Sequence, residues 1–297
     1  MTGRGLQAVA VICVRGDDPY LEGCLRHLIA HGVDYAVIDN GMSADDRALL
    51  RRAPFRDRLR DLWGLPFAGV FELERQIEAK ERMFETLEAD WLIHLDVDEA
   101  MHAYAEGERL IDSIARIDAL GFNVINFDEY VFLPLDQAYQ PGACPQPLTA
   151  YYLFEPGPGP RLMRARRKSA NLSMAPSGLD SAAAGHVIYG DGLRLAPEAF
   201  VLRHYIVLSQ DHARRKYTER VYAETELRRG WHANRTGRPA EAFEFPPPEA
   251  LKRLPSAASH ALDRSHPKGA HYWDWPGPLP QGEGGWSSAA QRSKAAG

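Results

Sequence analysis

An apolar stretch that ends in three acidic residues constrains this chain more than any other feature. Residues 91–95 read Trp-Leu-Ile-His-Leu, the pattern of a buried strand, and Asp96, Asp98 and Glu99 come directly after it. Buried carboxylates are unfavourable unless something positive meets them. Acidic residues just past a strand, at the mouth of a sheet, therefore suggest a divalent cation held by oxygen ligands. A solvated acidic turn is the alternative that this short motif alone leaves open.

The residues before this stretch predict a strand, a helix and a second strand, at 7–14, 19–32 and 33–39. Pro19 suits the first turn of a helix that Asp17 or Asp18 caps. The second strand ends in Asp39. This order favours parallel strands, and ligands bind beyond the carboxyl ends of such strands. We therefore expect Asp39 and Asp96 to lie on the same edge of the sheet.

The rest of the chain continues the alternation of strands and helices. Strands are expected at 67–71, 122–132 and 201–207, and helices at 45–52, 72–87, 108–120 and 210–229. The expected fold is α/β, with a mostly parallel sheet flanked by helices in one main domain over residues 1–230. Residues 231–297 are rich in proline and glycine, and we expect an extension that is partly disordered, above all from residue 276.

A concentrated basic segment, residues 161–168, stands out in a chain whose net charge is -5. Such a run commonly forms a solvated face. It is also what an anionic ligand such as a diphosphate needs. Proline-rich loops at 141–147 and 156–160 precede it, which is consistent with an irregular insertion near a site. Both interpretations of the basic segment stay open at this point.

Composition excludes several classes of protein. A mildly acidic chain lacks the basic face that a nucleic-acid binder needs. Three cysteines without a CxxC pair give neither a cysteine zinc site nor a disulfide framework, and they fit a reducing compartment. No segment approaches the ~20 apolar residues of a membrane span, so we expect a cytoplasmic protein that could still touch a membrane surface. His27 and His31 lie four apart without a metalloprotease motif and are expected on a plain helix surface.

Taken in order, these pieces resemble the family 2 glycosyltransferases and their relatives with the GT-A fold. The similarity is narrower for a bacterial branch whose metal motif reads Trp-(apolar)-Asp-X-Asp-Glu. The resemblance covers about residues 7–220. It rests on the opening strand and the Tyr20-Leu-Glu helix, Gly32-Val-Asp-Tyr, Asp39-Asn-Gly-Met-Ser-Ala-Asp, residues 91–99, residues 123–133, His186 after small residues, and His204-Tyr205 before a helix start at Ser209.

The resemblance implies a role for each matching position. The turn at residues 15–18, including Arg15, would border the nucleotide, with Gly16-Asp17 where relatives often carry Asn-Glu. Asp39 would accept hydrogen bonds from the base or the ribose. The other positions fall at the metal and the diphosphate: Asp96 near the ribose and the metal, Asp98 and His204 as metal ligands, and Lys168 and His186 near the diphosphate or the acceptor.

The implied reaction moves a sugar from a nucleotide-sugar donor to a hydroxyl acceptor, such as a surface polysaccharide or a lipid-linked glycan. Mn²⁺ or Mg²⁺ would stabilise the charge that builds on the departing nucleoside diphosphate. An inverting enzyme also needs a carboxylate that takes the proton of the acceptor hydroxyl, and Asp128, Glu129 and Glu99 are the candidates. Two alternatives stay open: a non-catalytic nucleotide-sugar-binding protein of the same fold, and a nucleotidyltransferase.

Overall fold

The computed structural model describes residues 5–16, 19–157, 159–169, 171–174 and 185–275. Ten strands are described: β1 (Ala8–Gly16), β2 (Asp34–Met42), β3 (Leu59–Gly64), β4 (Trp91–Leu95), β5 (Glu99–His102), β6 (Val124–Phe132), β7 (Ala150–Phe154), β8 (Met163–Arg167), β9 (Phe200–His204) and β10 (Lys252–Arg253). The α-helices of the same residues are α1 (Leu21–Ala30), α2 (Ala44–Leu50), α3 (Phe55–Arg58), α4 (Leu73–Thr86), α5 (Leu110–Ala119), α6 (Gln210–Thr218) and α7 (Glu224–Arg228).

The strands form one mixed sheet in the order β10-β7-β6-β8-β4-β1-β2-β3. Its N-terminal half is parallel, because β4, β1, β2 and β3 all run in one direction. Strand β8 lies between β4 and β6 and is antiparallel to both. Strand β9 pairs with β6 in parallel and with β5 in the antiparallel sense. The α/β class and the sheet flanked by helices are thus confirmed, with mixed strand directions in the second half.

Strand β1 shows why this sheet forms a central layer. It is an unbroken apolar run instead of an alternating one, which is typical of a strand covered on both faces. Ile12 packs on one side with Leu25 of α1. Val11 packs on the other side with Phe84 of α4. The two apolar clusters place helices on both faces, so the ends of the parallel strands remain as the open edge of the layer.

The residues after 230 add a third apolar cluster. Phe243 and Trp273 pack with Tyr217 of α6 and with Tyr152 of β7. Residues 231–275 therefore cover part of the same sheet in the structure. The domain boundary at residue 230 stays a prediction, and the disorder expected from residue 276 lies outside the described residues.

Two local predictions are wrong. The third strand is β3 and not residues 67–71, where only Phe71 forms a β-bridge, to Tyr222. That bridge also breaks the helix expected at 210–229, because Phe71 exchanges backbone hydrogen bonds with Val221 and Ala223. The proline-rich loops at 141–147 and 156–160 contain no helix or strand in their described residues, as expected, but strand β7 lies between them and β8 follows the second. The basic segment is therefore largely a central strand, with Arg164 and Arg166 buried.

No helix of the described residues is long and apolar enough to cross a membrane.

Candidate active site

The acidic stretch forms a tight turn, called here the carboxylate loop (residues 96–99). It leaves β4 at Leu95 and enters β5 at Glu99. The backbone N–H of Asp96 donates to one carboxylate oxygen of Glu99 at 3.0 Å, and Arg164 Nη2 donates to the other at 2.9 Å. Both Glu99 and Arg164 are buried. This pair anchors the loop on β8, and burial raises the pKa of Glu99 despite the charge of Arg164.

Two buried cations meet Asp96. Lys80 Nζ lies 3.0 Å from its Oδ1, and Arg164 Nη2 lies 3.4 Å from its Oδ2. Lys80 extends from α4 and also donates to the Leu95 carbonyl at 2.8 Å. Desolvation would raise the pKa of Asp96, but Lys80 and Arg164 hold it well below the usual range. Asp96 is therefore ionised, and its side chain keeps 48% of its surface open to the cavity that lies above the loop.

The pairing of β5 with β9 places His204 beside Asp98. Glu99 stands opposite His204 in the ladder, and the Tyr205 N–H donates to the Asp98 carbonyl at 2.8 Å. His204 Nε2 then lies 3.6 Å from Asp98 Oδ1, while its Nδ1 lies 2.6 Å from Glu129. Desolvation would lower the pKa of His204, but these two carboxylates raise it well above the usual range. The imidazole is thus a cation fixed between Asp98 and Glu129.

Further cations fix the two carboxylates beside His204. Lys216 Nζ of α6 lies 3.1 Å from Asp98 Oδ2. Arg161 pairs with Glu129. Desolvation would raise the pKa of each carboxyl, but Lys216 with His204, and His204 with Arg161, lower the pKa of Asp98 and of Glu129 far below their ordinary values. Both groups are ionised at neutral pH.

A cavity of about 410 Å³ opens above the carboxylate loop. Its wall carries three arginines, called here the arginine wall: Arg15, Arg220 and Arg235. Each guanidinium stacks on an aromatic ring, at 4.6 Å, 4.8 Å and 6.0 Å from the ring centroid. Across the described residues, none of the three forms an ion pair with a carboxylate. Among the described residues, this face of the cavity therefore carries positive charge without a carboxylate partner.

Buried donors of the cavity lining also lack hydrogen-bond partners. Among the described residues these include Arg164 Nε and Nη1, Arg235 Nε and Trp273 Nε1. Buried polar groups are ordinarily hydrogen bonded, so unpaired donors on residues that line a cavity favour an acceptor supplied by a ligand or by water. All four of these atoms are donors. The cavity is therefore suited to a ligand rich in acceptor oxygens.

The structure brings most of the predicted site residues to this cavity: Arg15, Asp96, Asp98, Glu99, Glu129, His186 and His204 all line it. Three others lie elsewhere. Asp39 binds Arg47 at 2.7 Å and accepts the N–H groups of Gly41 and Met42 in its own turn. Asp128 faces the other side of β6 and pairs with Arg264 at 3.1 Å. The roles expected of all these residues stay predictions.

Lys168 lies at the far end of the sheet. Its ammonium donates to the carbonyls of Glu85 and Leu87, at the C-terminal end of α4, where a cation stabilises the last carbonyl groups. It does not line the cavity. Lys168 therefore lies away from the other predicted site residues, and its expected role near the diphosphate or the acceptor stays a prediction.

Sequence analysis did not predict several residues of this site, although two of them lie in patterns that indicate a buried charge. Lys80 occupies the apolar stripe of α4, three positions after Ile77 and four before Phe84, so the pattern requires a buried lysine. Arg164 falls in the basic segment, where strand alternation turns it inward. Lys216 lies in a helix rich in charge on all sides, and the sequence offers no signal for it.

The donor set at Asp98 fits a divalent metal ion. Asp98 Oδ1 and His204 Nε2 are 3.6 Å apart, a separation that an ion bound to both can span. Glu129 accepts from the remaining ring nitrogen of His204, which is the usual outer partner of a metal-binding histidine. Asp96 adds a partly open carboxylate two residues away. The ion would take the place of the proton on His204 Nε2, which now lies opposite Asp98 in an ion pair.

The chain was also compared with known proteins. No family model and no curated protein matches it. Among solved structures, S. aureus TarS 1–349 shares 11% sequence identity at a TM-score of 0.42, over 67% of this chain and 60% of that one. The same protein in complex with UDP gives 13% identity and a TM-score of 0.42, over 71% of this chain and 62% of that one.

A third solved structure is the mannosyltransferase PcManGT from Pyrobaculum calidifontis in complex with GDP-Man and Mn²⁺, at 12% identity and a TM-score of 0.31. It is matched over 45% of this chain and 37% of its own length. The chain thus spans under two thirds of each of these relatives. Likenesses at TM-scores below 0.5 carry no functional argument, so the function of this chain has to be inferred from the residues of its own cavity.

Proposed function

We propose that this protein is a glycosyltransferase that takes a nucleotide-sugar donor and transfers the sugar to a hydroxyl acceptor. The observation that carries the proposal is the arrangement of charge in one cavity. The carboxylates Asp96 and Asp98 and the imidazole of His204 form its floor, and the arginine wall faces the same space. A diphosphate carrying a divalent cation presents both signs of charge, so it complements both surfaces.

The arginine wall supports the diphosphate half of this proposal. Arg220 lowers the pKa of Arg15, after the larger effect of burial, which shows that the two guanidinium groups repel one another. Like charges held together without a carboxylate partner are unfavourable until an anion arrives. Phosphate oxygens bind arginine through paired, charge-assisted hydrogen bonds. We therefore place the diphosphate of the donor between the arginine wall and the carboxylate loop.

The metal half of the proposal rests on Asp98 and His204, with Asp96 beside them. A bound Mn²⁺ or Mg²⁺ would supply a Lewis acid that stabilises negative charge on the leaving diphosphate. The residues themselves do the positioning. Glu129 fixes the orientation of His204, and the buried pair of Arg164 with Glu99 fixes the loop that carries both aspartates. Lys216 keeps Asp98 ionised.

The three candidates for the general base differ in their hydrogen bonds and in their position relative to the cavity. Both carboxylate oxygens of Glu99 and of Glu129 already accept hydrogen bonds from the protein. Asp128 lies outside the cavity. We therefore propose positioning roles for Glu99 and Glu129, in place of proton transfer. Asp96 also accepts hydrogen bonds at both oxygens, from Lys80 and Arg164, and differs from the two glutamates in that its side chain keeps 48% of its surface open.

One observation favours a second function, a binding protein without turnover. Asp96 and Asp98 already have cationic partners in Lys80, Arg164 and Lys216. With its carboxylates neutralised, the cavity can hold a nucleoside diphosphate through arginines alone. In that case binding would need no metal, and the sugar–phosphate bond would stay intact.

A nucleotide panel separates these functions. We expect UDP or GDP, or both, to raise the melting temperature of the full chain more with Mn²⁺ than with EDTA. A matching UDP- or GDP-sugar incubated with a mixture of glycan acceptors should release nucleoside diphosphate over time. Equal stabilisation with and without metal, and no release, would favour the binding protein. Release of pyrophosphate from a nucleoside triphosphate would instead indicate a nucleotidyltransferase, and no response to any nucleotide contradicts the proposal.

A further inference from the structure

A cluster of imidazoles lies behind the carboxylate loop, outside the cavity of the proposed transferase. His27 and His31 are one turn apart on α1, and His102 is the last residue of β5. One ring nitrogen from each residue lies within 4.8 Å of the other two. His27 and His102 are buried and His31 is half-buried, so the expectation of a plain helix surface is wrong for His27.

The hydrogen bonds of His27 leave one nitrogen with only a weak thiol partner. Its Nε2 lies 2.7 Å from the carbonyl oxygen of Met101, so Nε2 carries the proton and donates it. The lone pair is then on Nδ1, which lies 3.7 Å from the Sγ of Cys144 and accepts the weak S–H hydrogen bond. A histidine that donates one N–H to a backbone carbonyl and offers the other nitrogen has the arrangement of a metal ligand.

His102 provides the second, independent observation. Its Nδ1 is buried and has no hydrogen-bond partner among the described residues. The side chain is more than nine-tenths buried. A buried polar atom without a partner is unfavourable, and a metal ion is one partner that a ring nitrogen can take when the proton is on the other nitrogen. A space of about 30 Å³ adjoins His27, His102 and Cys144.

His31 is the residue that must rearrange. Its Nδ1 accepts the N–H of Leu110 at 3.1 Å, which places the proton of this ring on Nε2. To coordinate a metal, the ring has to release that hydrogen bond and turn. The side chain is half-buried at the end of α1, so water can replace the lost bond.

We propose that His27, His31 and His102 bind a transition-metal ion of the Zn²⁺ class. Imidazole nitrogen suits Zn²⁺, Cu²⁺ and Ni²⁺, whereas Mg²⁺ prefers oxygen. Zinc–nitrogen bonds of about 2.0–2.1 Å place ligand atoms about 3.3 Å apart, so the longest pair here closes by about 1.5 Å. The Sγ of Cys144, 3.7 Å from His27 Nδ1, is a candidate for the fourth ligand. This site is distinct from the carboxylates of the proposed transferase and does not depend on that function.

Protonation does not compete with the metal at this site. Burial lowers the pKa of His27 to about 3 and that of His31 to about 4, with the neighbouring histidines adding to the effect. Both rings are neutral at pH 7, so metal binding displaces no proton from them. The bound ion would tie α1 to β5, whose first residue is Glu99, and would thereby stabilise the carboxylate loop from behind.

The test uses the full chain without a histidine tag, after treatment with a chelator. We expect one equivalent of Zn²⁺ to bind and to raise the melting temperature in Asp98→Asn, which lacks a ligand of the carboxylate loop, while excess Mg²⁺ has no effect at this site. Co²⁺ should give the visible absorption of a four-coordinate ion, and Zn²⁺ should abolish it. Loss of an outer partner of a ligand commonly costs 10–100-fold in affinity, so His102→Gln and His31→Gln, which remove ligands, should each weaken Zn²⁺ at least about 100-fold.

Three control variants make the outcome decisive. His266→Gln changes an exposed histidine and should bind Zn²⁺ as the wild type does. Asp98→Asn should also retain Zn²⁺ binding, which separates this site from the carboxylate loop. Cys144→Ser should remove any thiolate band from the Co²⁺ spectrum. If His102→Gln does not fold, His31→Gln decides, since its side chain is half-buried. Equal Zn²⁺ affinity of wild type and His31→Gln, or several weak equivalents in the wild type, overturns the proposal.

Discussion

The imidazole of His204 is held by Glu129, whose carboxylate lies 2.6 Å from its Nδ1. This bond turns the other ring nitrogen toward Asp98. Glu129→Gln keeps the size of the side chain but removes the charge that orients and polarises the imidazole. We expect Mn²⁺ affinity or turnover to fall by about 10–100-fold, as for other partners of metal-binding histidines.

The measurement for Glu129→Gln is a Mn²⁺ titration of the initial rate. The matched control is Asp128→Asn, because the neighbouring carboxylate faces the other side of β6 and contacts Arg264. That variant should keep the Mn²⁺ dependence of the wild type. Equal losses in both variants would mean that the strand as a whole, and not the His204 contact, is responsible.

Asp98→Asn tests the metal ligand itself. We expect turnover to fall at least about 100-fold, which is comparable with the loss of one preorganised stabilising group. The variant should remain folded by circular dichroism, with a lower free energy of unfolding, because Lys216 loses its charged partner. Wild-type turnover in this variant would remove Asp98 from the reaction.

Part of this site could be predicted from the sequence, because the carboxylate loop is a local feature. An apolar run followed directly by acidic residues predicts a buried strand that ends in a polar turn. The structure has this arrangement, with β4 followed by Asp96. The cations could not be predicted in the same way. Lys216 reaches Asp98 only because β9 pairs with β5 and α6 follows it, which is a long-range relationship that no short pattern contains.

The fold shows the same division between local and long-range causes. Strand β1 and helix α4 follow from apolar periodicity within one segment. The break between α6 and α7 cannot be predicted from local periodicity. Phe71, which lies about 150 positions earlier in the chain, forms backbone hydrogen bonds with residues 221 and 223 and so interrupts the helix. The edge strand β3 was missed because its exposed alternate residues dilute the apolar signal.

Arg220→Gln tests the arginine wall. The side chain stacks on Phe71 and, among the described residues, has no carboxylate partner, so its replacement should change ligand binding more than stability. We expect the Kd of the nucleoside diphosphate to rise about tenfold, the loss of one charge-assisted contact of about 1.5 kcal/mol. The wild-type Kd should also rise with ionic strength, and more steeply than that of the variant.

The control for Arg220→Gln is Arg228→Gln. Arg228 is an exposed residue of α7 and pairs with Glu224 of the same helix. It should leave the Kd and its salt dependence unchanged. A wild-type Kd in Arg220→Gln would place the anion elsewhere in the cavity.

Phe243→Ala tests whether the residues after 230 belong to the folded domain. The ring is fully buried, stacks on Tyr217 at 4.9 Å and packs against Trp273. We expect the free energy of unfolding to fall by about 3–5 kcal/mol, as for other buried phenylalanines. Leu120→Ala, at a residue that is 64% exposed, should change it by less than about 0.5 kcal/mol. Unfolding by urea measures both, and an unchanged Phe243→Ala would support a boundary at residue 230.

The stability of the chain should fall in mild acid, and His271 should account for part of this loss. Its ring lies between Phe154 and Trp273, with centroids 3.9 Å and 4.5 Å away, and burial lowers its pKa to about 3. The unfolded chain takes up a proton at this residue near pH 6.5, whereas the folded chain does not until about pH 3. The folded state therefore loses stability as the pH falls below 6.5. Between pH 7 and pH 5 this amounts to about 2 kcal/mol.

The measurement is the free energy of unfolding in urea at pH 7 and at pH 5, with EDTA present. In His271→Gln the difference between the two values should shrink by about 2 kcal/mol, whatever the substitution does to stability at pH 7. His266→Gln, at an exposed histidine, should keep the wild-type difference. If the wild type, His271→Gln and His266→Gln all lose the same free energy of unfolding between pH 7 and pH 5, His271 titrates normally in the folded chain. The acid sensitivity then comes from other groups.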